Sequence, residues 1–436
     1  MKKTILLAMV CAFCVTLGFL SSGPINADDG KSKNNLTFTK DIAPILQQKC
    51  QDCHHSGGIA PMPLVNYEEV RPWARAIKEQ VVKRVMPPFY ATGPAGYFFH
   101  DPRLTDEQIA AIAAWADNGA PKGNPSDQPP PLKWSNDWKL GPPDLLLKLP
   151  KPYTVEPNKL DNYQLFIPDF VFPEDTWIRA MEIHPGNKQV VHHASLYILP
   201  DDFKANAEGR VENADFFIRG GQLFAHWVPG SDIRSYDKGY AALIRKGTRF
   251  GIQVHYAPTA KPMTDETSVG FYFANGLIQK QFRSIYGGTD RIEIPPGEAN
   301  YQISEKRRFK SDVLIRAFTV HMHLRGKSFV VKLWYPDGRV ETVLEVPKFS
   351  FNWQRFYKLA KPIPVVKGTV AEFIATWDNS AKNPYNPDPT KEVRFGEKTT
   401  DEMMSGTILY EIPEENLNLM LKNGRQVSTD ANAHSK

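Results

Sequence analysis

The sequence predicts a small all-α unit followed by two antiparallel β-sandwiches of jelly-roll type, and three observations carry that expectation. Apolar residues recur at helical spacing before position 121, a Pro-, Gly- and Asn-rich stretch interrupts the chain over 122–157, and short β-branched and aromatic runs separated by turn residues fill the region beyond. At 436 residues the chain also exceeds what one core fills, so separate units are expected on length.

At the start, Lys2 and Lys3 precede an apolar run from Ile5 to Leu20, and Ile25-Asn26-Ala27 offers a small-residue cleavage site. This reads as a secretory signal peptide over 1–27, implying a periplasmic or secreted protein with no stable membrane insertion. No twin Arg is present, so export in the unfolded state is expected, with any cofactor added afterwards. Cys11 and Cys14 lie inside that segment and leave only Cys50 and Cys53 of the four cysteines. One pair is no disulfide framework, so the β region must be held by packing. The formal net charge of +5 is mild and no run of five or six like charges occurs, which argues against nucleic acid as a partner.

Residues 28–121 form the expected helical unit. Ile42, Ile45 and Leu46 share a face; Val70, Trp73, Ala74, Ile77 and Val81 recur at three- and four-residue steps; Thr105 with Gln108 makes a capping box that opens a helix ended by Gly119 and Pro121. Between the first two stretches stands Cys50-Gln51-Asp52-Cys53-His54. Two thiols in this C-x-x-C-H spacing can add to haem vinyl groups while the next His reaches the iron. A redox dithiol would expect a βαβ context and a zinc site a second ligand pair nearby; the surrounding sequence has neither. The reading is therefore one covalent haem c on Cys50, Cys53 and His54. Met86, in Val85-Met86-Pro87-Pro88, is the first choice for the sixth ligand and Met62 the second; His55 and His100 are also within reach in sequence.

The stretch 122–157 reads as a semi-rigid linker. Beyond it, one sandwich is expected over 158–285 and another over 286–415, with a tail at 416–436. Strand-like runs include Gln189 to Leu199, Arg249 to Tyr256, Val313 to Leu324 and Ala371 to Trp377, and Tyr335-Pro336-Asp337-Gly338 supplies a hairpin turn.

Histidines in these runs are not scattered singly. His192-His193, His255 and His321-Met322-His323 all fall in apolar strand-like segments. Residues two apart on a strand face one way, so His321 and His323 make a ready bidentate pair. The adjacent His192-His193 pair needs a bulge, or different ring nitrogens, to meet one ion. A lone strand His is more often a hydrogen-bonded core residue, which is the reading for His184 and His226; His434 is discounted as tail. Imidazoles suit Zn, Cu, Fe or Ni, and the residues alone do not choose.

Four stretches together, Val190-Val191-His192-His193, Gln253-Val254-His255-Tyr256, His321-Met322-His323-Leu324 with Gly326-Lys327, and Thr400-Asp401-Glu402-Met403, resemble the copper type II, ascorbate-dependent monooxygenases over about residues 162–413. The resemblance implies two copper ions: an electron-transfer copper on His192, His193 and His255, and an oxygen-activating copper on His321, His323 and Met403, with Met404 a rival for the thioether. The helical unit resembles the cytochrome c domains fused to such regions in bacterial exported proteins, with Met86-Pro87-Pro88 matching their pattern. Thr319 stands where the peptidylglycine enzymes of the family carry an Arg for the substrate carboxylate, and Ser405 and Thr407 replace their Asn and Tyr, so peptide amidation is not the expected reaction. The expectation is a haem-coupled copper monooxygenase that takes O2, a small organic substrate and electrons from a periplasmic donor. The alternative is a non-catalytic electron-transfer or copper-binding protein; a carbohydrate-binding or adhesion sandwich is the third reading.

Overall fold

The computed structural model describes residues 36–427 apart from positions 95, 135–136, 159–161, 202, 212–221, 230–232 and 397. The expected signal peptide with Cys11 and Cys14, and His434, lie outside the described residues. Strand dominates. Helices are few and short, the longest being the 12-residue Asp106–Asp117, and a cytochrome c domain is not evident from them.

Thr105 Oγ1 accepts from the Gln108 amide at 3.2 Å while Gln108 returns a carbonyl to the Thr105 amide at 3.0 Å, so the capping box starts that helix. A second box on Asn66 and Glu69 starts the Tyr67–Val70 turn. Phe38, Ile42, Leu46, Val70, Ile77, Val81, Ile112 and Trp115 share one buried core. Trp73 does not join it and is 45 % exposed, because Arg71–Trp73 is a 3₁₀ turn around Pro72 that rotates it off the stripe before the Ala74–Val82 helix.

Two β-sandwiches follow. The first stacks a sheet ordered Leu145–Lys148, Ser268–Phe273, Thr176–His184, Tyr240–Ile244, Lys280–Gln281 on another ordered Arg210–Val211, Asn162–Phe166, Phe250–Tyr256, Val191–Ile198, Gln222–Trp227. Ile178, Met181, Val269 and Phe271 meet Ala194, Leu196, Ile252 and Val254 between the sheets. The second stacks Arg283–Thr289, Met404–Glu411, Val313–His321, Phe356–Val365 on Tyr301–Arg308, Val370–Trp377, Gly326–Trp334, Val340–Val346. Its core holds Ile315, Phe318, Val320, Phe329, Phe373, Trp377 and Met404.

The stretch read as a linker contributes two strands to the first sandwich: Leu145–Lys148 pairs with Ser268–Phe273 and Tyr153–Val155 with Met263–Asp265. The stretch read as a tail returns as Leu419–Lys422, paired with Gly276–Ile278. The helical region is also sewn to the second sandwich. Beyond Met86 a strap runs along the free edge of the Phe356–Val365 strand, where Phe99 N donates to Lys358 O at 2.8 Å and Ala360 N to Tyr97 O at 3.0 Å, while Thr92 N reaches Glu345 O at 2.8 Å. No helix among the described residues is long and apolar enough to cross a membrane.

Candidate metal centres

The first cluster is built by register. His193 pairs with His255, but the next pair is Val191 with Tyr256, so His192 is the extra residue of a bulge and turns toward the face its neighbour occupies. His192 Nδ1 lies 3.1 Å from His255 Nδ1 and 3.3 Å from His193 Nδ1. Tyr163 stacks on His255 at 4.0 Å. Burial lowers all three imidazoles from their ordinary range, His255 to about 3 and His193 further helped by His255. The three rings are therefore neutral near pH 7, the form a metal needs. Ligands bonded at about 2.0 Å to one tetrahedral ion stand roughly 3.3 Å apart, so the converging nitrogens fit a shared ion.

The second cluster lies on the outer face of the second sandwich. His321 and His323 stand with ring centroids 5.1 Å apart and planes at 89°. His321 Nδ1 bonds the Gln354 side-chain carbonyl and His323 Nδ1 sits 3.3 Å from the Asp401 carbonyl, which leaves each Nε2 as the lone-pair atom. Burial holds His323 down to about 3 and lowers His321 as well. Met403 is buried, and with His321 it lines a cavity of about 660 Å³. Met404 belongs to the sandwich core. Two imidazoles and a thioether are a soft set that fits Cu(I).

Several groups to which the sequence assigned no role support these clusters. The Glu402 carboxylate accepts from His323 N at 2.9 Å, Arg325 N at 2.6 Å and Trp377 Nε1 at 2.8 Å, tying the Met403 segment to the histidine turn. Full burial raises this carboxyl to about 7. Gln354 lies in a loop with no periodic signal. His226, read as an isolated core histidine, shares a hydrogen bond with Ser195 Oγ over 2.8 Å, stands 5.2 Å from the His193 ring, and lines the cavity shared by His193, His321 and Met403. Its position opposite Ser195, two residues from His193, places it on the same sheet face. His184 stays apart, packed on Trp138 and 3.7 Å from Glu182. Phe351 stands between the clusters, with ring centroids 6.4 Å from His193, 5.9 Å from His255 and 6.0 Å from His323.

Residues 285–430 match the family model described as copper type II ascorbate-dependent monooxygenase, C-terminal domain. The match spans the second sandwich and includes His321, His323 and Met403; it does not extend to the first sandwich or the helical region. The matched domain is copper-monooxygenase-like, and this supports a copper-dependent oxidoreductase with O2 and a small molecule as its general reactants. No curated protein matches the chain. Solved structures with some similarity include a mutant VP2 protein of infectious bursal disease virus, at 9 % identity over 62 % of this chain and 69 % of that one with a TM-score of 0.20. An allantoicase is similar at 12 % identity over 52 % and 81 %, with a TM-score of 0.17. Likenesses this loose carry no argument.

In the C-x-x-C-H segment both cysteines are free thiols and half-buried. His54 N donates to Cys50 O at 3.0 Å, forming one tight turn, and His54 Nδ1 lies 3.0 Å from the Met62 carbonyl, which again leaves Nε2 outward. Burial, then the neighbouring Cys53, pushes the Cys50 thiol up to about 12; burial raises Cys53 too, with the Arg355 guanidinium opposing it. Thiols, imidazole and turn fit thioether attachment of a haem. Met62 packs against the helical core and Met86 is half-buried after the Ala74–Val82 helix. His100 is exposed and stacks on Phe99 at 3.9 Å.

Proposed function

We propose that the chain is an exported, haem-coupled copper monooxygenase that inserts one oxygen atom of O2 into a C–H bond of an organic substrate. Two electrons and two protons then reduce the other oxygen to water, the electrons arriving from a periplasmic donor by way of the haem. The single observation that supports this most is convergence. His193 and the His321/Met403 pair line one cavity, and the C-x-x-C-H segment lies against the same neighbourhood, with Arg355 beside Cys53 and also on that cavity's wall.

In this reading His192, His193 and His255 hold an electron-transfer copper, while His321, His323 and Met403 hold the copper at which O2 reacts; Cys50, Cys53 and His54 carry haem c, with Met86 as sixth ligand and Met62 second. Bound copper would supply one-electron redox chemistry and an O2-binding site. The chain's own groups do the rest. Gln354 and the Asp401 carbonyl fix the tautomers of His321 and His323, which leaves both Nε2 lone pairs for a metal beside the cavity that His321 and Met403 line. Glu402 clamps the segment that presents the Met403 sulfur. Phe351 packs its ring against His193, His255 and His323 and so links the two histidine clusters.

Elemental analysis should give two coppers and one haem iron per chain. His321→Ala is expected to lose one copper and O2-dependent product while keeping its haem spectrum. Haem and copper without O2-dependent oxidation of the reduced haem, across a panel of C–H substrates, would instead mark a non-catalytic electron-transfer or copper-binding protein. Haem with no copper would overturn the reading.

A further inference from the structure

The two histidine clusters belong to different sandwiches, and one histidine outside both has neighbours in each. His226 stands on the Gln222–Trp227 strand, opposite Ser195 in register. Its Nδ1 shares a hydrogen bond with Ser195 Oγ over 2.8 Å, and its ring lies 5.2 Å from that of His193. On the side of the second sandwich its neighbours are His321 and the Gln354 backbone. Gln354 is in turn bonded through its side-chain carbonyl to His321 Nδ1, and its amide donates to the Phe351 carbonyl at 2.8 Å. That side chain is 3 % exposed, so the link is shielded from solvent.

His226 is not a fourth ligand of the first cluster. Among the described residues, the nitrogens that converge within reach of one ion there are those of His192, His193 and His255. Nor does packing alone account for it, because its Nε2 is buried and makes no hydrogen bond. A buried polar atom left without a partner costs free energy and calls for a reason. Ser195 explains one side of the ring and leaves the other unexplained.

The function proposed above requires an electron to cross from the three-imidazole cluster to the one where O2 reacts. Such coupling decays least through covalent bonds, more through hydrogen bonds and fastest through open space. From His193 the chain itself leads to Ser195, one hydrogen bond leads to His226, one contact to Gln354, and a second hydrogen bond to His321. Phe351 offers ring contacts alone, with centroids 6.4 Å from His193 and 6.0 Å from His323.

We propose that His226 is the residue through which the two metal centres exchange electrons. One electron leaves the ion held by His192, His193 and His255, whose charge rises by one, and the ion held by His321, His323 and Met403 takes it up. No bond of the chain breaks and no proton moves. The proposal rests on the reading that both clusters hold copper, and does not require that a substrate be hydroxylated.

The test follows the electron. Full-length protein, loaded with haem and copper and fully oxidised, is mixed with dithionite supplying one electron per chain and frozen at millisecond intervals. The paramagnetic resonance signals of the two cupric centres, which differ in ligand set, report the redistribution. His226→Ala should slow exchange between the centres by about tenfold or more, with copper content, both signal shapes and both midpoint potentials unchanged. A packing role would alter those properties instead. His226→Gln, which keeps a partner for Ser195, should restore part of the rate, and it carries the test should His226→Ala lose copper or fail to fold. Exchange at the parent rate in the fully loaded variants overturns the proposal, as does a greater slowing by Phe351→Leu than by His226→Ala. Copper at only one cluster of the parent overturns it together with the reading it rests on. Exchange that depends on His226 in a protein that oxidises no C–H bond would sink the oxygenase reading and leave this one standing; product formation with exchange indifferent to His226 does the reverse.

Discussion

Met403 and Met404 are neighbours on opposite faces of one strand start, and that alternation separates their duties. Met404 packs with Phe318 and Phe373 inside the second sandwich, whereas Met403 faces the cavity with His321. Met404→Ala should therefore cost about 2–5 kcal/mol of stability in urea unfolding and leave copper stoichiometry unchanged. Met403→Leu should cost less than about 1.5 kcal/mol yet weaken Cu(I) binding, read by competition with a chromophoric chelator. Equal effects of the two changes would refute the assignment. The paired histidines were legible from the sequence because doublets and H-x-H spacing stand out, but His226 was not, since a single strand histidine carries no spacing signal. Its titration is testable. Burial, followed by His321 and His192, lowers His226 from 6.5 to about 3. Because the folded value lies below the unfolded one, the unfolded chain takes up the proton first. The stability contributed is complete above pH 6.5 and falls as pH drops toward 3, by at most about 1.4 kcal/mol per pH unit. In metal-free protein His226→Gln should thus show a shallower loss of the urea midpoint between about pH 6.5 and 5 than the parent, and identical slopes would count against a neutral buried imidazole.

At the level of strands, the adjacent His192 and His193 allowed either a bulge or the use of different ring nitrogens, and the register, which skips His192, shows the bulge. The strands at 145–155 and 419–422 were not legible. Their flanks are rich in Pro, Gly and Asn, and runs of three or four residues give too little alternation to read. Nor did Trp73 follow its stripe, because Pro72 breaks the helical phase. Close packing within a strand also makes a demand that composition hides. A Cβ on Gly406 would stand 2.5 Å from the Phe373 ring and 2.9 Å from Phe329, and both rings are fully buried. Gly406→Ala should cost at least about 1–3 kcal/mol. The same residue sits between Ser405 and Thr407 on the strand that flanks His321, so the change should also loosen copper at that cluster. A thermal melt with parallel copper analysis checks both effects, and an unchanged melting temperature would contradict the packing described.

Across the whole molecule, a helical bead joined by a linker underestimates how the parts are bound together. The strap after Met86 carries Phe89 and Phe98, which pack on Tyr357 of the second sandwich with ring centroids 5.5 and 5.7 Å away, and Phe98 is 3 % exposed. Such contacts join segments more than 250 residues apart, so local patterning could not reveal them. They imply that residues 28–121 expressed alone would uncover these aromatic rings and leave the Thr92 and Phe99 amides without their carbonyl partners on Glu345 and Lys358. Hydrogen exchange separates the two pictures. In the full chain the Phe99 amide should be protected to a degree comparable with central strands such as Val313–His321, because opening it requires undocking the strap. In the isolated fragment it should exchange at the rate of an unstructured amide, while the Gln108 to Ala116 helix amides, whose partners are local, stay protected in both. If Phe99 exchanged freely in the full chain as well, the strap would not be a structural bond between the C-x-x-C-H region and the copper-monooxygenase-like domain, and the proposed electron delivery would have to rely on a looser encounter between them.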